Sequence, residues 1–442
     1  MLIFPKNFVW GAATASYQIE GACAEDGRGE SIWDRFSHTP GKTRDGDTGD
    51  VACDHYHRWR DDVALMKQLG LPAYRFSIAW PRILPNARIL PNGRGQVNEQ
   101  GLAFYDQLVD ELLAANIQPY ITLYHWDLPQ VLEDAGGWLN RDITDAFVEY
   151  AQVVVKRLGD RVKQWTTHNE PFCTAFLGYR DGVHAPGVRD EAASLQAAHH
   201  VLLSHGLATQ AIRALQPDAQ VGIVLNMWTV ETVHDTPADR ALAELQWQKD
   251  CGWYLDPVLR GQYPAQAWAA YESKVPAIQP DDLKTIAQPL DYLGLNYYMR
   301  ALYDGPRRAA KLPDAEYTEM DWEVHAPGLY RLLTKLQREY PAAPIYITEN
   351  GAAFKDVVED GAVHDPRRVN YLREHIAACH QAINDGVDLR GYFAWSLLDN
   401  FEWSHGYSKR FGLTYVDYAT QQRIPKDSFE FYREVIKWNG LA

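Results

Sequence analysis

The sequence predicts an α/β protein that folds as a single (β/α)8 barrel with long βα loops. Three observations favour this fold. Segments with the apolar spacing of helices alternate with β-rich segments along the whole chain. The alternation occurs eight times, as expected for parallel strands that are joined by helical crossovers. No linker, charge block or low-complexity tract divides the 442 residues, so we expect one domain over residues 1–442.

The first half of the chain shows the alternation clearly. The β-rich segment FVWGAATAS comes first, and residues 61–69 then have helical spacing that ends at Gly70. Residues 101–115 and 142–158 each place their apolar side chains on one helical face. The β-rich segments AYRFSIAW, PYITLYHW and VKQWTTHNE follow these three helical segments in turn. Glycine just after a helical segment is a common helix end, which supports these boundaries.

The second half continues in the same way. Helical segments at 192–215, 239–288, 328–340 and 366–385 precede the β-rich segments QVGIVLN, DYLGLNY, PIYITEN and VDLRGYFAWSL, and a last helix covers 427–438. Residues 300–325 have no clear period, so we expect a long loop over the site there. A doubly wound sheet is the alternative fold. It would need a glycine-rich phosphate loop, and neither GxGxxG nor GxxxxGK[ST] occurs.

Charge and composition exclude several classes of function. The formal net charge is −15, which speaks against binding to nucleic acid or to an anionic membrane surface. No apolar run is long enough for a transmembrane helix, and the N-terminal segment lacks the basic residues of a signal peptide. Five cysteines without a CxxC pair suggest reduced thiols in a cytoplasmic protein.

Functional side chains of such a barrel lie at the C-terminal ends of its strands. The candidates there are Gln18, Arg75, His125, Trp126, Asn169, Glu170, Asn296, Tyr298, Glu349, Trp395, Glu402 and Trp403. Amides, carboxylates and flat rings suit a neutral polyol, since a phosphate site would need more cations. HExxH is absent, and the His55/His57 and His199/His200 spacings lack an accompanying constellation of carboxylates with metal-ligand spacing, so we expect no metal and no cofactor.

Two glutamates, Glu170 and Glu349, follow β-rich segments and lie 179 residues apart. A pair of carboxyl groups across a barrel mouth is what glycoside hydrolysis requires. The alternative interpretation is that each is a surface or ion-paired glutamate. The neighbouring Arg75, Asn169 and Tyr298 favour the first interpretation, because they could orient or tune the two carboxyl groups.

The sequence resembles the family 1 glycoside hydrolases, the β-glucosidase family, over residues 3–440. The resemblance lies in FVWGAATASYQIEGA, YRFSIAWPRILP, LYHWDLPQ, THNEP, LGLNYY, ITENGA and WSLLDNFEWSHGYSKRFGLTYVDY. THNEP together with ITENG, at this separation, is the strongest part of the signal. The resemblance implies a TIM barrel and retention of anomeric configuration, for which the two carboxyl groups lie about 5–5.5 Å apart.

The resemblance also implies a role for each candidate. Glu170 corresponds to the general acid/base and Glu349 to the nucleophile, with Arg75 and Tyr298 as partners that keep Glu349 ionised. The positions that match sugar-binding residues are Gln18, His125, Asn169, Glu402 and Trp403, with Trp395 as the stacking platform. We expect Asn296 as a second contact near the 2-hydroxyl that Asn169 would bind. We add Trp126, beside His125, to these candidates. For Trp395, Trp403 and His125 the alternative is core packing.

The resemblance predicts a small-molecule β-glucoside substrate and hydrolysis of cellobiose, short cello-oligosaccharides and aryl or alkyl β-glucosides. β-Galactosides and β-fucosides are secondary expectations. Two alternatives stay open: a 6-phospho-β-glucosidase and a non-catalytic sugar-binding barrel. A carboxylate at Glu402 would repel a phosphate, which argues against the first. Both glutamates are present, which argues against the second.

Two positions depart from the pattern common in the family. Phe172 stands where many relatives have Trp, on the expected leaving-group side, and His168 stands where Phe or Leu is frequent. We expect little chemical effect from His168. Cys173 lies near the site in sequence, and we expect it to be a buried structural thiol.

Overall fold

The computed structural model of the chain describes residues 1–85, 95–340 and 343–442. Eight parallel strands close into a barrel in which each strand pairs with the next in sequence and the last pairs with the first. We number them in chain order: β1 Val9–Ala13, β2 Ala73–Ser77, β3 Gln118–Tyr124, β4 Gln164–Asn169, β5 Gln220–Asn226, β6 Tyr292–Asn296, β7 Ile345–Asn350 and β8 Leu389–Trp395. The (β/α)8 prediction is confirmed, and all eight predicted strands are present.

Helices surround the barrel and connect its strands. The crossover helices are His55–Leu69, Glu99–Ala114, Ile143–Leu158, Glu191–Leu215, Ala326–Glu339 and Pro366–Asn384, and helix Asp427–Trp438 follows β8. Between β5 and β6 lie the shorter helices Pro237–Trp247, Trp253–Arg260, Ala265–Tyr271 and Asp282–Ile286. Short helices also occur in the loops, at Ser16–Ile19, Ile32–Ser37, Trp80–Ile83 and Gln130–Asp134, and a π-helical segment covers Cys173–Arg180.

The helical prediction was inaccurate at two places. The first crossover helix begins at His55 rather than at residue 61, because its first turns are mostly polar and dilute the apolar period. The segment 239–288 is four helices rather than one loose helical region. Gly261, at a φ of 64°, ends one of them, and Pro264 precedes the next.

Residues 300–325 are not a plain loop. Ala301–Asp304 and Arg307–Arg308 form a hairpin, and Ala301–Asp304 also pairs with Val230–Thr232, which follows β5. Strands of two to four residues are too short to show a period, which explains why they were not predicted. The hairpin carries this segment beside the barrel mouth.

Aromatic rings fill the barrel interior. The rings of Tyr120 on β3 and Phe393 on β8 lie 5.0 Å apart, although these strands are not neighbours. Gly11 on β1 makes room for this contact, since a Cβ atom there would lie 2.2 Å from the Phe393 ring. The interior is therefore a packed core, and an open cavity exists at the strand ends rather than through the barrel.

Among the helices of the described ranges, none has the length and apolarity needed to span a bilayer.

The ends of β7 and β8 are in close contact at Gly351. A Cβ atom at this position would lie 1.7 Å from the carbonyl oxygen of Trp395. The absence of a side chain at Gly351 therefore sets the relative position of the two strand ends that carry Glu349 and Trp395.

We expect Gly351→Ala to destabilise the protein by about 1–3 kcal/mol, because the new methyl group must displace backbone. The measurement is the midpoint of urea unfolding, followed by tryptophan fluorescence. Gly252→Ala is the matched control, because its Cβ would have only ordinary contacts of 3.6 Å and longer and its φ is −61°. Equal midpoints for the two variants would show that the contact at Gly351 is relaxed in solution.

Candidate active site

A cavity of about 780 Å³ lies at the C-terminal ends of the strands. The predicted site residues that line it are His125, Trp126, Glu170, Asn296, Tyr298, Glu349, Trp395, Glu402 and Trp403. The other three, Gln18, Arg75 and Asn169, are buried behind this surface and contact its residues by hydrogen bonds. The structure thus brings all twelve candidates to one place.

Glu349 lies near the end of β7, and both of its carboxyl oxygens accept hydrogen bonds. Arg75 on β2 donates from Nη1 to Oε1 at 2.8 Å, and the Tyr298 hydroxyl donates to Oε2 at 2.6 Å. Burial raises the pKa of Glu349, while these two donors act in the opposite direction. The predicted partners of Glu349 are therefore in contact with it.

Glu170 follows β4 directly and has a left-handed backbone, with a φ of 49°. Its Oε1 accepts a hydrogen bond from Asn296 Nδ2 at 2.6 Å, and its Oε2 accepts one from Cys173 Sγ at 2.9 Å. Burial, and then the negative charge of Glu349, raise the pKa of Glu170 to about 8. Glu170 therefore holds its proton more tightly than an ordinary glutamate does.

The guanidinium of Arg75 fixes the orientation of two amide side chains. Its Nη2 is 2.7 Å from an atom of the Asn169 amide, which must be the oxygen because guanidinium nitrogens only donate. Asn296 is 3.2 Å from that same oxygen, so it presents its nitrogen there. The Asn296 nitrogen that contacts Glu170 Oε1 is therefore an obligate donor, and Asn296 also interacts with Glu349.

The same argument gives the tautomer of His125. The Asn169 nitrogen lies 3.1 Å from His125 Nε2, so Nε2 accepts and the ring proton is on Nδ1. Burial, together with the positive charge of Arg75, holds the pKa of His125 well below its ordinary value. The ring is therefore neutral, and its Nδ1–H has no partner among the described residues.

Gln18 and Glu402 also meet at the cavity. The Gln18 amide nitrogen donates to Asn400 Oδ1 and to the Phe401 carbonyl, each at 2.9 Å, and approaches Glu402 Oε2 at 3.4 Å. Its oxygen has no partner among the described residues and is available as an acceptor. Burial, followed by the charges of Glu349 and Glu170, raises the pKa of Glu402 to about 8.

The raised pKa of Glu402 weakens the argument that its negative charge would repel a phosphorylated sugar. A carboxyl group that is largely protonated at neutral pH repels a phosphate less than its formal charge suggests. Discrimination against a phosphorylated sugar therefore depends on more than charge repulsion by Glu402.

Aromatic rings form one wall of the cavity. The rings of Trp126 and Trp403 are 4.5 Å apart, and the His125 ring lies nearly parallel to those of Trp395 and Trp403 at 5.9 Å. Trp126 also donates from Nε1 to the Asn169 carbonyl at 2.8 Å. This wall offers flat faces for the apolar side of a sugar ring.

The family model described as Glycosyl hydrolase family 1 matches residues 2–441. The chain belongs to glycosyl hydrolase family 1. The predicted resemblance is thereby confirmed, and so is the enzyme class.

Individual relatives of this family 1 hydrolase align over nearly their whole length. Beta-glucosidase A of Acetivibrio thermocellus is 50% identical over 451 residues, with 100% of this chain and 99% of the relative covered. The bifunctional beta-D-glucosidase/beta-D-fucosidase of Bifidobacterium breve is 46% identical, with 98% of each chain covered. A solved structure, the β-glucosidase from Thermotoga maritima in complex with glucoimidazole, superposes with a TM-score of 0.96 at 47% identity and covers 100% of both chains.

The cavity in this family 1 hydrolase is also lined by residues that the sequence did not single out. They are Arg180, Asp250, Tyr303, Arg308, Met320 and Trp322, and Phe172 and Trp228 line it as well. Most come from the segments after β4, β5 and β6. Asn226 and Trp228, at the end of β5, were the sequence signal that could have pointed to these residues. Nothing in their spacing indicated that they line one cavity wall together with the residues after β4 and β6. The contact between Cys173 and Glu170 was also missed.

His168 lies outside the cavity. Its Nε2 is 2.8 Å from Ser204 Oγ, and its ring stacks on Phe147 at 4.4 Å. The side chain packs between β4 and the helices Ile143–Leu158 and Glu191–Leu215, in agreement with the small chemical effect expected for it.

We expect Glu402→Gln to stabilise the protein, and to do so increasingly as the pH rises from about 4.5 to about 8. A carboxyl group with a raised pKa favours the folded state while it is protonated, and this contribution is lost as the pH passes the folded-state pKa. The gain is on the order of 2 kcal/mol at the upper end of the range. The thermal unfolding midpoint at several pH values measures it.

The exposed Glu374 provides the control, since Glu374→Gln is expected to leave the midpoint unchanged at every pH. A difference between Glu402→Gln and the wild type that does not vary with pH would contradict the prediction.

Proposed function

We propose that the chain is a retaining exo-β-glucosidase. It removes terminal, non-reducing β-D-glucosyl residues from cellobiose, short cello-oligosaccharides and aryl or alkyl β-glucosides. The observation that carries the proposal is the pair of buried carboxyl groups, Glu170 and Glu349, that line one cavity and have unlike partners. The relatives named as β-glucosidases support the choice of sugar.

In the proposed mechanism, Glu349 is the nucleophile. Its carboxylate attacks the anomeric carbon, and the bond to the leaving oxygen breaks as a glycosyl ester forms. Arg75 and Tyr298 favour the ionised form of Glu349 before this attack. They also hold the carboxylate in a single orientation, since each binds a different oxygen.

Glu170 is the general acid and then the general base. With a pKa of about 8 it is protonated at neutral pH and gives its proton to the leaving oxygen. Once Glu349 is esterified its negative charge is gone, and this removes one of the two causes that raise the pKa of Glu170. Glu170 can then accept a proton from the water that releases the sugar.

His125 and Glu402, which line the cavity, and Gln18 directly behind them would hold the glucosyl ring. Nδ1 of His125 and Oε1 of Gln18 have no partner among the described residues. Asn169 and Asn296 lie between the two glutamates, where the 2-hydroxyl would be bound in the transition state. Trp395 and Trp403 provide the flat faces against which the ring would pack.

A broader sugar range is part of the proposal. The Bifidobacterium breve relative is named for β-fucosidase as well as β-glucosidase activity, which supports β-fucosides as additional substrates. β-Galactosides remain a prediction, as do the single catalytic domain over residues 1–442 and the cytoplasmic location. The five cysteines are all free, four of them buried, in accord with that location.

Glu349→Ala is expected to reduce hydrolysis of 4-nitrophenyl β-glucoside by a factor on the order of 10³ or more, because the attacking group is lost. A 2-deoxy-2-fluoro-β-glucoside with a good leaving group should label the wild type on Glu349. Peptide mapping by mass spectrometry locates the label. A label on another residue, or comparable turnover by the variant, would rule out this nucleophile.

Turnover of a second substrate and a calorimetric binding measurement address the two alternatives. Faster turnover of the 6-phosphorylated aryl glucoside would make the enzyme a phosphoglycosidase, and calorimetric binding of glucose without any turnover would make it a binding protein.

Glu170→Ala separates the two roles of the pair. The rate of hydrolysis by this variant should fall about 10²–10⁴-fold for a substrate with a poor leaving group and much less for one that releases 2,4-dinitrophenol, which needs no acid.

We expect kcat/KM for 4-nitrophenyl β-glucoside to fall above a pH of about 8, because Glu170 must be protonated to act as the acid. A pH profile at low substrate concentration measures this limb. With 2,4-dinitrophenyl β-glucoside the limb should be weaker. A limb of the same position and depth for both substrates would assign it to another group.

A further inference from the structure

We propose that Cys173 is a positioning residue for the acid/base: its S–H group donates to Oε2 of Glu170 and stabilises the carboxylate form that activates water. This inference rests on the proposed function of Glu170 and adds a partner that the sequence assigned only to the core. It is carried by the distance of 2.9 Å between Cys173 Sγ and Glu170 Oε2.

The local backbone brings the two side chains together. Cys173 is three residues after Glu170, and its backbone N–H donates to the Glu170 carbonyl at 2.9 Å. Glu170 itself has a left-handed backbone, with a φ of 49°, so the approach of the two side chains is set by this particular turn and not by regular helical spacing. Because the π-helical segment Cys173–Arg180 begins at this residue, the thiol is held beneath the carboxyl group by the backbone itself.

The thiol can act only as a donor toward the carboxylate. Burial, and then the negative charge of Glu170, raise the pKa of Cys173 well above the ordinary value, so the sulfur keeps its hydrogen. Asn226 Nδ2 lies 3.8 Å from the same sulfur on its other side, at the end of β5. The S–H bond is thereby left free to point at Glu170.

The partners of Glu170 also favour one of its oxygens as the carrier of the acidic proton. Asn296 is an obligate donor to Oε1, and the carbonyl oxygen of a protonated carboxyl group is its better acceptor. This hydrogen bond therefore favours the proton on Oε2, on the Cys173 side. A thiol suits this position, because it is a weak donor that can turn away when Oε2 is protonated and donate again when the proton has left.

Several other charged or titratable groups act on Glu170. They are Glu349 on β7, Arg75 on β2, Tyr298 after β6 and Glu402 after β8. Substitutions at Cys173 leave all of them in place. A change in the titration of Glu170 on removing the thiol would then report the S–H contact itself.

The test compares pH profiles of kcat/KM for 4-nitrophenyl β-glucoside. Cys173→Val and Cys173→Ala remove the donor, which disfavours the carboxylate, so the alkaline limb should move upward by about 0.5 to 1 pH unit. Cys173→Ser keeps a donor at this position and should restore the wild-type limb. Cys379→Val, at a buried thiol in helix Pro366–Asn384, should leave the limb unchanged.

A purely structural role for Cys173 gives a different result. It would change thermal stability or the height of the profile but leave the alkaline limb of every variant in place, and this outcome overturns the proposal. So does a Cys173→Ser limb that coincides with that of Cys173→Val. The two donor-free variants differ in size, so one tests the contact if the other fails to fold.

Infrared spectroscopy tests the contact without any turnover. The S–H stretching band of Cys173 is isolated as the difference between the wild type and Cys173→Val, above the pKa of Glu170. Glu170→Gln should move this band to higher frequency, since an amide is a weaker acceptor than a carboxylate. A band that does not move overturns the proposal. If Glu170→Gln moves the band as expected but the wild type does not hydrolyse glucosides, the contact stands and the proposed function is overturned instead.

Discussion

The ion pair between Arg75 and Glu349 inside the barrel is the interaction on which the rest of the site depends. Both side chains are almost completely buried, and their atoms approach to 2.8 Å. Removing two charges from water is costly, and further hydrogen bonds to the buried charges offset part of that cost. Arg75 uses Nη1 for Glu349 and for the Thr348 carbonyl and Nη2 for Asn169, so one guanidinium supports both halves of the site, while its Nε has no partner among the described residues.

The directions of the amide and imidazole hydrogen bonds beside the glutamates follow from this guanidinium. Because it can only donate, it fixes the Asn169 oxygen, and through it the Asn296 nitrogen and the tautomer of His125. The two glutamates thereby receive unlike partners: a cation and a phenol for Glu349, an amide and a thiol for Glu170. Unlike partners are what allow two neighbouring carboxyl groups to take opposite protonation states.

The sequence predicted those features that leave a local pattern. The switch between helical and strand periods identified all eight strands, and the rule that functional groups lie at strand ends identified Glu170 and Glu349. It could not predict the short hairpin at Ala301–Asp304, which has too few residues for a period. Nor could it predict the Cys173 contact, because that depends on the left-handed backbone of Glu170 and on how tightly the next turn winds.

The lining of the cavity has two sources in the fold. One part is built from side chains at or just after the strand ends, whose positions the barrel itself fixes. The other part comes from the loops, with Phe172, Trp228 and Trp322 among its walls and Asp250 in a charged setting beside Arg180. A barrel holds strand ends in place whatever its loops contain. Under the proposed function, bond cleavage therefore depends on the strand-end part, while the loop part would contact the leaving group.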